Sequence, residues 1–223
     1  MPRLLVVNSN TTESVTARIG AAARAAALPG TVIEAVSAPY GLPLIVTPAD
    51  WAVAGPPTLA ALEERRGGFD AAIVACFGDP GVAEAKRRFG APVIGISEAA
   101  FHTACLLGRR FGVVSFTDAL RPMFEACLGR TGLGARCAGF RMGPVFAGDP
   151  GKVAEECTAL ILALCRASVE EDGAEVVILA GGPLAGLAPV LRAHVPVPLV
   201  DGTEAAIRLA EMLVRSAPAA GGG

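Results

Sequence analysis

Cys76 stands at the end of an apolar run and the mouth of a glycine-rich turn, in GFDAAIVACFGDPG (Gly68–Gly81). A thiol that loses its proton becomes a base, a nucleophile or, in reverse, a proton donor. The turn Phe77-Gly78-Asp79-Pro80-Gly81 leads into an expected helix, whose positive end is expected to lower the thiol pKa from about 8.5. The chain then says nearly the same thing again, in GAEVVILAGGPLAG (Gly173–Gly186). There the position matching Cys76 is Gly181, followed by Gly182, and it can move no proton. The chemistry therefore starts from one thiol and an empty counterpart.

Two further groups could bind a substrate. Asn8, Ser9, Asn10, Thr11 and Thr12 put short polar side chains at the end of one apolar run, and Ser115 and Thr117 flank Phe116 at the end of another. Such residues hydrogen-bond a carboxylate or carbonyl, or else cap a helix; Thr11 and Thr12 read as a cap. The other cysteines are Cys105, Cys127, Cys137, Cys157 and Cys165, with no CxxC pair, and the two histidines, His102 and His194, are far apart. No metal site is expected from such spacing. Cys157 and Cys165 share a helical run with Leu160, Ile161 and Leu164 and read as core.

These groups need elements to position them. Short β-branched runs alternate with longer alanine-rich stretches of helical period. Strands are expected at Leu4–Asn8, Thr31–Val36, Ala71–Cys76, Pro92–Ile96, Phe111–Phe116, Arg136–Phe140, Glu175–Ala180 and Pro196–Val200. Helices are expected over Ser14–Ala27, Thr58–Arg66, Pro80–Phe89, Glu98–Leu107, Leu120–Gly129, Pro150–Glu171, Leu184–His194 and Thr203–Ser216. The proline-rich segment from Tyr40 to Pro57 reads as a long loop that covers something. Apolar strands separated by helices make an α/β fold with parallel sheets covered on both faces.

The repeat goes beyond the two glycine turns. Pro92–Ile96 lines up with the stretch around Val197, Glu98-Ala99-Ala100 with Glu204-Ala205-Ala206, and Leu4–Asn8 with Gly112–Phe116. Two pseudo-symmetric lobes follow, each a three-layer α/β unit. The first is 1–100 with 203–217 and the second is 101–202, with a disordered tail at 218–223. Ligands gather beyond the carboxyl ends of parallel strands, so Asn8–Asn10, Cys76–Gly78, Ser115–Thr117 and Gly181–Gly182 are expected around one cleft. The apolar residues Phe77, Phe116 and Val46 are expected in its lining.

Composition narrows the partners. Formal charge over the 223 residues is −2 and the hydrophobic fraction is 52%. That balance gives no basic footprint for nucleic acid. Every apolar stretch is broken before the roughly 18 residues of a membrane span. The start, MPRLLVVNSN, reads as a first strand rather than a leader, and a cytoplasmic protein is expected.

The runs VNSNTTESVT, DAAIVACFGDPG, APVIGISEAAFHTA, FGVVSF and VDGTEAA together resemble the aspartate/glutamate/hydantoin racemase superfamily, most of all its hydantoin and allantoin racemase branch. The resemblance reaches to about Ser216. It implies two facing lobes, a small-molecule substrate with a carbonyl or carboxylate, no cofactor, and commonly a homo-oligomer. It also implies a cysteine from each lobe, one removing a proton beside a carbonyl and the other returning one from the opposite face. Cys76 would be one of that pair. The N–H groups of Phe77 and Gly78, with Asn10 and Thr117, would be donors to the substrate.

This chain departs from that pattern twice. The family has a cysteine in a run resembling LGCAG, where this chain has Leu179-Ala180-Gly181-Gly182-Pro183. The branch tends to carry an acid after an isoleucine where this chain has Ile45-Val46. Three readings stay open. One is a racemase or epimerase whose second base is Cys105, His102 or a water. Another is a one-cysteine relative, a decarboxylase of substituted malonates or an isomerase using Cys76 as proton donor or nucleophile. In the resembling decarboxylases the retained thiol belongs to the second lobe, the reverse of this chain. The third is a binding protein that turns nothing over.

Overall fold

The computed structural model describes residues 1–216 apart from 145 and 147. The expected tail at 218–223 lies outside the described residues. The first half runs β1 (Arg3–Asn8), α1 (Glu13–Ala26), β2 (Val32–Ser37), α2 (Pro48–Glu64), β3 (Ala71–Val74), α3 (Val82–Arg88), β4 (Val93–Gly95) and α4 (Ile96–Leu107). The second runs β5 (Phe111–Ser115), α5 (Arg121–Thr131), β6 (Cys137–Met142), α6 (Val153–Glu156), α7 (Thr158–Glu170), β7 (Val176–Leu179), α8 (Ala188–Leu191), β8 (Leu199–Asp201) and α9 (Gly202–Ser216).

Each half forms a four-stranded parallel sheet, ordered β2-β1-β3-β4 and β6-β5-β7-β8. This is the two-lobed α/β arrangement that the repeat predicts. β3 and β7 are buried throughout, which is why AAIV and VVIL are unbroken apolar runs rather than alternating ones. The closing helices cross between halves. α4 follows β4 yet packs on β7, β8 and α9, while α9 follows β8 yet packs on α1, β3 and β4. One apolar core consequently spans both sheets. Phe77 touches Phe101 and Phe124 at centroid distances of 5.6 and 4.7 Å.

The register corrects one alignment. β1 and β5 both pair with the central strand of their sheet, Leu4 with Ala71 and Phe111 with Val176. Leu4 is therefore the counterpart of Phe111, not Gly112, and Asn8 that of Ser115. Cys76 still matches Gly181.

Three element expectations change. The Tyr40–Pro57 loop ends early, because α2 begins at Pro48 and runs through Pro56 and Pro57. Those prolines strip bonds only from the carbonyls of Ala52 and Val53, whose residues are exposed and can use water. Thr47 and Asp50 form a reciprocal cap that starts the helix. The expected single helix from Pro150 to Glu171 is broken at Cys157, where the Thr158 hydroxyl donates to Ala154 O; such back-bonding bends helices. The expected Leu184–His194 helix shrinks to α8 between 3₁₀ turns. Gly186, at φ +80°, and Pro189 leave it no room to start earlier.

Candidate active site

The carboxyl ends of both sheets open on one small cavity. Asn8, Asn10, Cys76, Phe77, Phe116, Gly181 and Gly182 all line it, as the repeat led one to expect. Gly78, Ser115 and Thr117 do not. Leu44 and Ile45 line it in place of Val46, so the segment after β2 does cover the cleft. Leu120, Met123 and Phe124 add an apolar wall from the second half.

The polar residues divide their work. The Asn8 amide donates to Asn10 Oδ1 (2.8 Å) and Thr16 Oγ1 (2.9 Å), and Asn10 Oδ1 also accepts from Thr12 N–H (2.9 Å). Thr12 is the N-cap residue of α1 but makes no side-chain cap bond; its hydroxyl donates to Pro43 O and pins the covering segment. Asn8 is thus spent on holding Asn10. Among the described residues the Asn10 amide N–H groups have no protein acceptor. Ser115 Oγ donates to Ala180 O at 2.7 Å and ties β5 to the end of β7, and Thr117 is buried behind the lining.

The backbone after Cys76 is similarly sorted. Gly78 N–H donates to Ser97 Oγ at 2.5 Å, so it is not the free donor expected. Its carbonyl accepts from Trp51 Nε1 and Arg130, each at 2.8 Å, and the Arg130 guanidinium lies 4.7 Å over the Trp51 ring. Those three residues, Ser97 from α4, Trp51 from α2 and Arg130 from α5, fix the turn. Among the described residues the N–H groups of Phe77, Gly181 and Gly182 have no protein acceptor, leaving them as donors at the cavity. A Cβ on Gly182 would stand 3.2 Å from Ala75 O, so the two matching turns approach each other closely.

The electrostatics of Cys76 reverse the expectation. α3 is short and begins only at Val82, so its end does not serve the thiol. Burial pushes the Cys76 thiol up to about 12, with the Asp79 carboxyl adding to the shift and the Ser9 side chain opposing it. Asp79 caps α4 instead, accepting from Ser97 N–H and Glu98 N–H at 2.9 Å each. Gly95 makes that approach possible, since a Cβ there would lie 2.1 Å from the Asp79 carboxyl carbon. Burial raises the Asp79 carboxyl from 3.8 to about 7 against those two donors.

A consequence follows for stability. Asp79 is harder to ionise folded than unfolded, so between pH 3.8 and about 7 the unfolded chain holds fewer protons. Stability falls as pH rises through that window. Urea midpoints of the wild type are expected to drop from pH 4 to pH 7, and Asp79→Asn is expected to flatten that dependence. An equally steep drop in the variant assigns it to another group.

Neither proposed replacement base reaches the cavity. His102 is exposed, with Nδ1 2.7 Å from Glu98 O, and Cys105 lies on the same helix away from the lining. Opposite Cys76, a side chain on Gly181 would meet Phe116 Cε1 at 3.5 Å, Ser115 Oγ at 3.7 Å and Pro183 at 3.9 Å, at φ +121°. Among the described residues Cys76 is the only titratable side chain lining the cavity, and no cluster there could hold a metal ion. No described helix is long and apolar enough to cross a membrane. Sequence reasoning missed Trp51, Ser97 and Arg130, whose types carry no local signal, and gave Asp79 no role of its own although it stands in the same turn as Cys76.

A family model described as Asp/Glu/Hydantoin racemase matches residues 4–210. The hydantoin racemase of Paenarthrobacter aurescens is 32% identical over 216 residues, 95% of this chain and 91% of that one. The crystal structure of allantoin racemase from Pseudomonas fluorescens superposes with a TM-score of 0.88 at 35% identity, covering 96% of this chain and 91% of that one. A double mutant of arylmalonate decarboxylase, at TM-score 0.73 and 18% identity over 98% and 94%, shares the fold.

Proposed function

This chain belongs to the Asp/Glu/hydantoin racemase family as an isomerase, and we propose that it moves a proton at a carbon beside a carbonyl with Cys76 as its one acid/base side chain. The observation that carries this is the cavity wall: a thiol on one face and a glycine at the matching position of the other.

The reaction runs through an enolate. The C–H bond facing Cys76, in its thiolate form, breaks, its electron pair moves onto the carbonyl, and the proton goes to sulfur. The developing oxyanion meets the N–H groups of Phe77, Gly181 and Gly182 and the Asn10 amide. Preorganised donors of this kind are worth about 3 kcal/mol each. On the Gly181 side no side chain competes for the space, so water returns a proton from the opposite face, giving the inverted product and a hydroxide that takes the proton back from the Cys76 thiol. Because burial keeps the thiol protonated at neutral pH, Cys76 is ready as a donor, and its service as a base rises with pH.

The lining selects a substrate class. Its walls are Phe77, Phe116, Phe124, Leu44 and Ile45, with no charged partner for an ammonium or carboxylate. Burying an unpaired charge is costly, so the cavity suits a neutral cyclic amide with an apolar substituent over a free amino acid. The relatives' hydantoin and allantoin are cyclic amides as well.

The lone thiol also favours a second reading, loss of CO₂ from a substituted malonate on one side with protonation by Cys76 from the other. Proton NMR in D₂O tests both, with alkyl and aryl hydantoins, allantoin, free amino acids and substituted malonates. Deuterium uptake with inversion of a neutral cyclic amide is the expected result. CO₂ release from malonates alone would transfer the assignment to the second reading, and binding without exchange would overturn both.

A further inference from the structure

The two halves differ at a second matched position beside the thiol. Val7 pairs with Val74 and Ala75 N–H donates to Val7 O at 2.8 Å, so Ser9 and Cys76 leave the first sheet side by side. In the second sheet Val114 pairs with Leu179 and Ala180 N–H donates to Val114 O at 2.8 Å, which puts Phe116 beside Gly181. The Phe116 ring confirms that geometry, lying 3.5 Å from where a Gly181 side chain would begin. A hydroxyl–thiol pair in one half thus answers a phenyl–glycine pair in the other.

Ser9 is 1% exposed, and its Oγ has no hydrogen-bond partner among the described residues. A buried hydroxyl without an acceptor is rare. The register does set it beside the Cys76 sulfur. In the thiol form that sulfur is a weak acceptor, but as a thiolate it is a strong one. We propose that Ser9 is a positioning residue for the reaction, its hydroxyl donating to the Cys76 thiolate and aiming the sulfur into the cavity.

The other groups around the sulfur act in the opposite sense. Asp79 on the same turn and Cys127 on α5 both disfavour charge on Cys76. Ser9 is the one neighbour that favours it. Without that hydroxyl the thiolate would be formed only at still higher pH.

The inference rests on Cys76 as the reacting group, but its test reads the sulfur directly. Alkylation of the wild-type protein by iodoacetamide is followed against pH by mass spectrometry of the Cys76 peptide. Ser9→Ala is expected to slow alkylation at least tenfold at fixed pH and move the profile upward, with Ser9→Thr restoring it. A folded Ser9→Ala variant whose profile overlays the wild type overturns the proposal. Should Ser9→Ala not fold, Ser9→Thr and Ser9→Gly decide, with normal alkylation in the glycine variant overturning it. Exchange assays on the same variants separate this from the catalytic reading. A shifted alkylation profile with no exchange in any variant or in the wild type leaves the hydrogen bond standing and removes the reaction.

Discussion

Cys76→Ala is expected to lower α-proton exchange by about 10²- to 10⁴-fold, the usual contribution of one positioned acid/base group, and to leave the fold in place. The substitution removes one sulfur from the cavity wall and, in the turn, only that sulfur's weak bond to Phe77 O at 3.8 Å, while the Gly78 carbonyl stays held by Trp51 and Arg130. Exchange of a hydantoin α-proton in D₂O and the far-UV circular dichroism of the variant check the two halves of that statement. Exchange within tenfold of wild type in a folded variant would mean that the sulfur is a bystander and that solvent or another group does the work. Trp51 is the chain's single tryptophan and sits against the same turn, so its emission reports whether the turn has moved.

Gly181→Cys makes the second-largest change, with opposite signs for stability and activity. The position has room for a side chain, its nearest neighbours standing 3.5 to 3.9 Å from the added Cβ. The backbone is the obstacle, because φ +121° is a conformation that L residues avoid. Such strain costs of order 1–3 kcal/mol, visible as a lower melting temperature. The new thiol is placed on the cavity wall opposite Cys76, and as a positioned acid/base group it is expected to raise inversion by about 10² or more. Chiral chromatography of the product, beside thermal melts, reads both effects. A stable variant with no gain in inversion would place the opposite-face proton transfer away from Gly181.

Much of this was legible in the residues. The glycine turns ACFGDPG and AGGPLAG are near copies because both end a buried central strand, and local sequence governs turns. The alternation of apolar runs with alanine-rich helices fixed parallel sheets, and the repeat fixed two of them. The loss of a proton-moving side chain at Gly181 needed nothing beyond the alignment of two strands. Pro56-Pro57 reads as a loop from its sequence, yet the helix runs through it, because the carbonyls these prolines free belong to exposed residues where water can replace the lost bonds, and exposure is not written locally.

The protonation state of Cys76 was a different kind of question. Its neighbours in sequence promised a lowered pKa, yet the structure surrounds it with low dielectric and brings up Asp79, so the shift goes the other way. The same holds for the rejection of His102 and Cys105, which depends on which side of α4 faces the cleft. Gly78 N–H went to Ser97, Asn8 to Asn10, and Ser9 to the side of the thiol, all through packing between residues remote in the chain or in register across strands. The chain by itself set which groups exist and which elements carry them, since those follow from side-chain type and period. Tertiary structure alone decided their charge and direction, because desolvation and hydrogen-bond partners depend on what packs against a group from elsewhere in the fold.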